Sequence, residues 1–427
     1  METRRVIGRW TMTALVVNSI IGSAIFGVPS EVMPGWVPEP ECNARRRRID
    51  GDRYIAHRGS RVAVFSPRGL YLYARTAFGR FVGLQVGWFW LLAIVGGGAA
   101  AVNLFLNYLD PFLPSISHGW PRVLAIVLLV VVPTTANYVG VRQGALFTVL
   151  FTIAKLLPLM TVILVGLFKM PATVSSPMQM SAWTAWPKVL LILIYAFSGW
   201  EDTLLPAGEV KTPEVTLPFA LISSLLICTV VYTLFQLVIA RTVGTAPSKN
   251  AVTEAAATLL GGQAVPLVSV AVMLSTFGWL SGAFLNAPRF AVALAEQGDS
   301  PVYLGQLHPR FGTPHRGIVL YGIVVFLLAS TGSFIWAIEL TAGALSIFYS
   351  VACLSLFRFR TRESSSHIVR MPFGRGLAAI GVALSLALLT QLEARQLGLM
   401  SLTCPLGIAN WAWARRPKGA TDLFTLA

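Results

Sequence analysis

The sequence predicts an all-α, multi-pass membrane protein, organised as a single transmembrane domain over residues 1–427. Three observations predict it. Of 427 residues, 55% are apolar and only 12% are charged, against roughly 25% charged in soluble proteins. Long uncharged runs recur along the chain, and a helix of about 20 apolar residues is what crosses the hydrocarbon core. The short apolar/polar alternation of a membrane barrel is absent, which leaves helices as the structure that satisfies its own backbone in lipid.

The spans follow from those runs. They are Trp10–Ser30, Phe81–Leu109, Val123–Val141, Val215–Ala240, Ala255–Pro288, Gly317–Ile338, Leu340–Phe357, Leu377–Leu392 and Gln396–Ala414. Two further spans carry polar interruptions: Gly144–Phe168 holds Lys155, and Val189–Pro206 holds Glu201 and Asp202. The first span follows Arg4, Arg5 and Arg9 and ends in "VPSEV" without a small-residue cleavage site. It reads as a retained helix rather than a signal peptide.

Net charge is +15, yet its distribution speaks for a membrane rather than nucleic acid. If spans alternate from Arg80 onward, fifteen lysines and arginines fall on one side and six on the other. That asymmetry assigns the richer side, and the N-terminus with it, to the cytoplasm of a cell-membrane protein. Cys42, Cys228, Cys353 and Cys404 are widely spaced, and the five histidines form no ligand set. No metal or cofactor is expected, and with no nucleophile–base pair an enzyme is not expected either.

Two spans are broken by their own residues. "NSIIGSAIFGVPS" places Gly22, Ser23 and Gly27 in mid-span with Pro29 after them. Glycine costs about 1 kcal/mol relative to alanine inside a helix, and freed backbone groups need a cavity or a protein neighbour. A small-residue packing face is the plainer explanation for that run alone. The second run, "LILIYAFSGWEDTLLPAGE", puts Gly199, Glu201, Asp202 and Pro206 in the same kind of interruption. Broken spans in matching positions of two halves point to a transporter's binding site.

These motifs, with "GSAIFG", "YLYARTAFGRFVGLQVGW", "FSGWEDTLLPAGEVKTPEVTLPFAL" and "LNAPRFAVALAEQGDSPVYLGQLHPRFGTPHRGI", resemble the amino acid/polyamine/organocation (APC) family of amino-acid permeases. The resemblance implies a leucine-transporter-like fold: two inverted five-helix repeats plus two C-terminal helices, twelve spans where eleven are recognisable here. It further implies that freed amides at Gly22, Ser23 and Ala24 bind a substrate carboxylate. Carbonyls at Phe197, Ser198 and Trp200 would accept from its ammonium group, and Trp279 would line or gate the pocket. Tyr195, Phe197 and Trp279 have the alternative of being plain core aromatics. With no obvious counter-ion beyond Glu201, a neutral amino acid is the expected substrate.

Lys155 is the coupling candidate, because a mid-span lysine must be neutral, paired or solvated. In proton-dependent relatives a lysine here stands where sodium-coupled relatives bind sodium. A permanently charged lysine bonded to first-helix carbonyls would serve an exchanger equally well. Glu201 has the same duality, as a proton carrier or as a tie for the broken helix, and Glu209, at the cytoplasmic helix end, belongs to the inner gate or to a salt-bridge network. The expectation is proton-coupled symport. An amino-acid or polyamine exchanger is the alternative, and so is a non-transporting membrane protein.

That last alternative comes from Pro34–Arg68, where the family has its second helix. The stretch holds eight arginines and four acids, with "ARRRR" at its centre, and no apolar run. Its 35 residues reach about 115 Å when extended, so length allows a crossing. Carrying several arginines through lipid would cost on the order of 10 kcal/mol or more. A basic regulatory loop is one reading. A reading-frame error, after which family-like text resumes at "GLYLYARTAFG", is the preferred one.

Overall fold

A computed structural model describes residues 8–32, 36–38, 60–63, 70–116, 118–140, 145–169, 178–180, 186–201, 210–244, 248, 250–359, 368–371 and 374–414. Asp202, Pro206, Glu209, Cys42 and residues 39–59 of the arginine-rich stretch lie outside the described residues.

The first predicted span is two helices. α1 (Arg9–Ile20) and α2 (Ala24–Val32) meet at a 48° bend across Ile21, Gly22 and Ser23. α3 (Leu70–Phe78) then leads into α4 (Arg80–Leu109), α5 (Gly119–Val139) and α6 (Ala145–Lys169). The second broken span begins as α7 (Trp186–Ala196) and loses regular geometry at Ser198 and Gly199. α8 (Pro213–Val243), α9 (Ala251–Leu260), α10 (Ala264–Glu296), α11 (Val302–Gly305), α12 (His315–Thr331) and α13 (Phe334–Phe359) follow. α14 (Gly374–Leu388) and α15 (Ala394–Ala414) close the chain's helical part.

Among the described residues, α4, α5, α8, α10 and α13 contain stretches long and apolar enough to cross a membrane, and the bent α1/α2 pair makes a sixth. Two predicted boundaries move. The run 255–288 is a short α9 and a separate α10, because Gly261 takes φ +89° and Gly262 follows it. That left-handed region suits glycine and stops a helix. The spans expected at 317–338 and 340–357 divide earlier, at Gly332 and Ser333.

Burial sorts the helices. The apolar core of α4 is 83% buried, whereas those of α5 and α8 are 22% and 28% buried. α4 is therefore the central post, packed by α10, α12, α13 and α15. The outward faces of α5 and α8 carry exposed Leu128, Val131, Val132, Leu225, Leu226 and Val230. In water such a surface would be a large apolar patch, and in a membrane protein it is the lipid face.

The four short strands pair as two antiparallel ribbons. β1 (Trp36–Pro38) pairs with β3 (Met178–Met180), Trp36 opposite Met180, between α6 and α7. β2 (Ser60–Ala63) pairs with β4 (Ile368–Met371), Ser60 opposite Met371, between α13 and α14. Both ends of the arginine-rich stretch are thus joined to inter-helix connections.

One end of the bundle is tied by Asp299, which is fully buried just beyond α10. Its carboxylate takes Tyr71 and Arg75 from α3 and Arg80 from α4, while Arg80 Nη2 donates to Gly298 O at 2.7 Å. Asn410 of α15 donates to the Asp299 carbonyl at 2.8 Å. A carboxylate withdrawn from water is tolerable only with such partners. Asp299→Leu, which strands two arginines, is expected to cost about 3 kcal/mol. Thermal unfolding in detergent checks this; an unchanged midpoint would mean the cluster is dispensable.

Candidate functional site

The two breaks face each other. Ser19 Oγ donates to Gly199 O at 2.6 Å, and the Ser23 and Tyr195 hydroxyls lie 3.1 Å apart. Gly199 has φ +101°, and a Cβ there would sit 2.7 Å from the Ser19 carbonyl oxygen. Only glycine lets the second break approach the first so closely. Tyr232 of α8 adds a clasp, its hydroxyl 3.0 Å from Ile20 O and 3.1 Å from Ala196 O. Those two carbonyls close α1 and α7, where the regular i to i+4 helix bonds run out.

Beside this contact lies a cavity with about 490 Å³ of empty space, counting its open mouth. Its first wall is Gly22, Ser23 and Ala24, and its second is Tyr195, Ser198, Gly199 and Glu201. α4 supplies Trp90, Ala93, Ile94 and Gly97, α10 supplies Trp279, and α13 supplies Thr341 and Leu345. The Trp279 indole is held between two glycines. A Cβ on Gly22 would lie 3.0 Å from its Cδ1, and one on Gly97 would lie 2.7 Å from its Cη2.

The predicted residues separate into three groups. Gly22, Ser23, Ala24, Ser198, Glu201 and Trp279 line the cavity. Phe197 and Trp200 do not appear among its lining residues: the Phe197 ring packs on Tyr232 at 5.1 Å, and Trp200 stacks on Tyr349 at 5.6 Å. Lys155 stands apart, with Nζ donating to Asn18 O at 2.6 Å, behind the first break.

Backbone geometry refines the donors and acceptors. The Gly22 amide already donates to Ile20 O at 2.8 Å, so the donors oriented by a helix start are those around Ser23, Ala24 and Ile25. An α-helix leaves its first amides unpaired and concentrates partial positive charge there, which suits an anion. In the second break Tyr195 O accepts from Ser198, and Ala196 O and Gly199 O accept from Tyr232 and Ser19. Glu201 Oε2 accepts from the Gly199 amide at 2.9 Å and from Tyr349 Oη at 3.0 Å. Its carboxylate thereby braces the break.

Sequence reasoning passed over Trp90, Gly97, Thr341, Leu345 and Tyr232, because each sits inside an uninterrupted apolar span. The run of three glycines at 96–98 was the available signal. Among the described residues no group of three or more His, Cys, Asp or Glu side chains is placed to hold a metal.

A multi-pass helical membrane protein with two apposed broken helices around a small central cavity is a transporter by architecture. The amino acid permease family model matches residues 57–394, and the chain belongs to that family. It is 27% identical over 380 residues to the serine/threonine exchanger SteT of Bacillus subtilis, covering 84% of each protein. Uncharacterized transporters of Mycobacterium tuberculosis (Rv1999c) and Mycobacterium bovis (Mb2022c) are each 26% identical over 375 residues, 82% of this chain and 79% of theirs.

Proposed function

We propose that the chain carries small neutral L-amino acids across the cell membrane by alternating access, exchanging one for another, with serine and threonine as the favoured class. The observation that carries this reading is the apposition of the two breaks at one cavity. The start of α2 offers amides to a carboxylate, and the Ser198 carbonyl, in the second break, offers an acceptor to an ammonium group.

Size and polarity support the substrate class. Trp90 and Trp279 limit the space, while Ser23, Tyr195, Ser198 and Thr341 supply hydroxyls. Glu201 is engaged by Gly199 and Tyr349, which argues against its acting as a counter-ion for a basic side chain. The name of the Bacillus subtilis relative agrees with this class. The side carrying fifteen of the lysines and arginines, including the N-terminus, is taken as cytoplasmic.

Exchange is preferred to proton symport because of Lys155. Its ammonium group, bonded to Asn18 O at 2.6 Å, is a built-in cation at the first break that needs no ion from solution. Symport remains the second reading, since Lys155 is 8% exposed and a desolvated lysine can give up its proton. Proteoliposomes distinguish the two. Exchange predicts that uptake of radiolabelled L-serine requires internal L-serine and ignores an imposed pH gradient; uphill uptake into empty vesicles driven by external acid would overturn it. Lys155→Ala is expected to lower exchange about tenfold or more, the scale of one lost charge-assisted hydrogen bond. Normal exchange in that variant would remove Lys155 from the mechanism.

A further inference from the structure

At the end of the bundle where α2 finishes and α7 and α13 begin, three charged groups share one neighbourhood. Glu339 of α13 is 2% exposed, and Lys188 of α7 meets its Oε1 at 2.9 Å. Gln396 of α15 holds the carboxylate from behind, with Nε2 donating to Glu339 Oε2 at 3.0 Å and to Trp336 O at 3.1 Å. The Gln396 oxygen accepts the Glu393 amide at 2.7 Å, so its donors cannot turn away. Glu339 is therefore a fixed acceptor.

Lys188 is its opposite: its side chain is 54% exposed and long enough to reposition. Glu31 lies next to the end of α2, the helix that packs against α7 and so against the element carrying Lys188, and both Lys188 and Glu339 act on its charge. Arg395, next to Gln396 in the chain, is committed elsewhere, donating to Thr331 O at 3.0 Å and resting over the Trp336 ring. Two carboxylates on different helices thus compete for one mobile lysine.

The competing acids belong to different moving parts. α2 and α7 are the outer halves of the two broken helices and pack on each other, whereas α13 packs on the central post α4. We propose that Lys188 is an exchangeable gate cation, paired with Glu339 when the outer mouth is closed and with Glu31 when α2 and α7 swing away from α13. The second partner travels with the lysine, so opening does not leave Lys188 without an anion. A single fixed ion pair would oppose opening by its full strength; two stations make the closed and open ends comparable. This rests on the alternating-access reading above and on its assignment of this end to the outside.

The test is labelling of a reporter cysteine, Leu345→Cys in the cavity wall, in the full chain with its four natural cysteines replaced. A membrane-impermeant thiol reagent is added outside proteoliposomes. Glu339→Gln, which removes only the closed pairing, is expected to speed labelling about fivefold, the scale of a partly exposed ion pair, whereas Lys188→Gln, which removes both pairings, is expected to leave it within about twofold of the parental rate. Glu31→Gln is expected to slow it by a similar factor.

Unchanged labelling in Glu339→Gln overturns the latch, and a change of about fivefold in Lys188→Gln overturns the balance of the two stations, a readout that keeps the test open if the buried acid is needed for folding. Parental labelling in Glu31→Gln overturns the second station. Loss of serine exchange with this labelling pattern intact would sink the substrate reading while leaving the gate.

Discussion

Replacing residues 34–68 by an apolar helix of about 20 residues is expected to raise serine exchange per reconstituted molecule at least about tenfold over the chain as it stands. The twelve-span arrangement that the resemblance implies has a helix between α2 and α3, and under that arrangement a chain that leaves on one side returns before Arg80. The natural stretch has eight arginines there. At about 2.5–3.5 kcal/mol per charge near mid-membrane, four of them alone reach about 10 kcal/mol. Its ends are joined to two ribbons, β1 with β3 and β2 with β4, but paired ends do not reduce the cost of what lies between. The same reasoning predicts that the coding DNA, read in another frame across Pro34–Pro67, encodes an apolar segment. Full exchange by the natural chain, together with no such segment in either alternative frame, would sink this account and favour a specialised basic loop.

Gly199→Val is expected to abolish exchange, with a loss of at least about a hundredfold, while the protein still reaches the membrane. Valine at φ +101° is strained whatever surrounds it, and its Cβ would be driven to 2.7 Å from Ser19 O. Relief requires the two breaks to separate. That would remove the Ser19 bond to Gly199 O and the Ser23–Tyr195 contact together. Substrate-dependent thermal stabilisation, measured beside exchange, separates a lost site from a lost fold. Normal serine-induced stabilisation in Gly199→Val would show that the breaks need not touch.

Much of this was legible in the sequence, for identifiable reasons. Lipid admits few solutions, so uncharged runs marked the helices, and glycine with acid or proline marked both breaks. Gly22, Ser23, Ala24, Ser198, Glu201 and Trp279, all singled out from those runs, line one cavity. Phe197 and Trp200, named for their carbonyls, are absent from that lining and have rings packed on Tyr232 and Tyr349, because spacing does not encode which way an irregular segment faces. Lys155 was visible as a charge in an apolar run, but its partner Asn18 O is a backbone atom exposed only by the bend. Trp90, Thr341 and Leu345 were hidden by being ordinary span residues. The α9/α10 division was missed because two glycines in a long apolar run do not break it by composition, though Gly261 breaks it by conformation.

Tyr232 carries a consequence in the counting of hydrogens. Its hydroxyl stands within bonding distance of Ile20 O and Ala196 O, the closing carbonyls of two different half-helices. A phenol has one hydrogen to give, so at any instant one carbonyl receives a full, linear bond and the other only a fraction. Ile20 O keeps the Gly22 amide in either case, so the acceptor left wanting when the O–H turns to the first break is Ala196 O, in the second. An ammonium group arriving between the breaks would bring the donors that this shared hydrogen cannot supply, so occupancy and the hydroxyl's orientation would be set together.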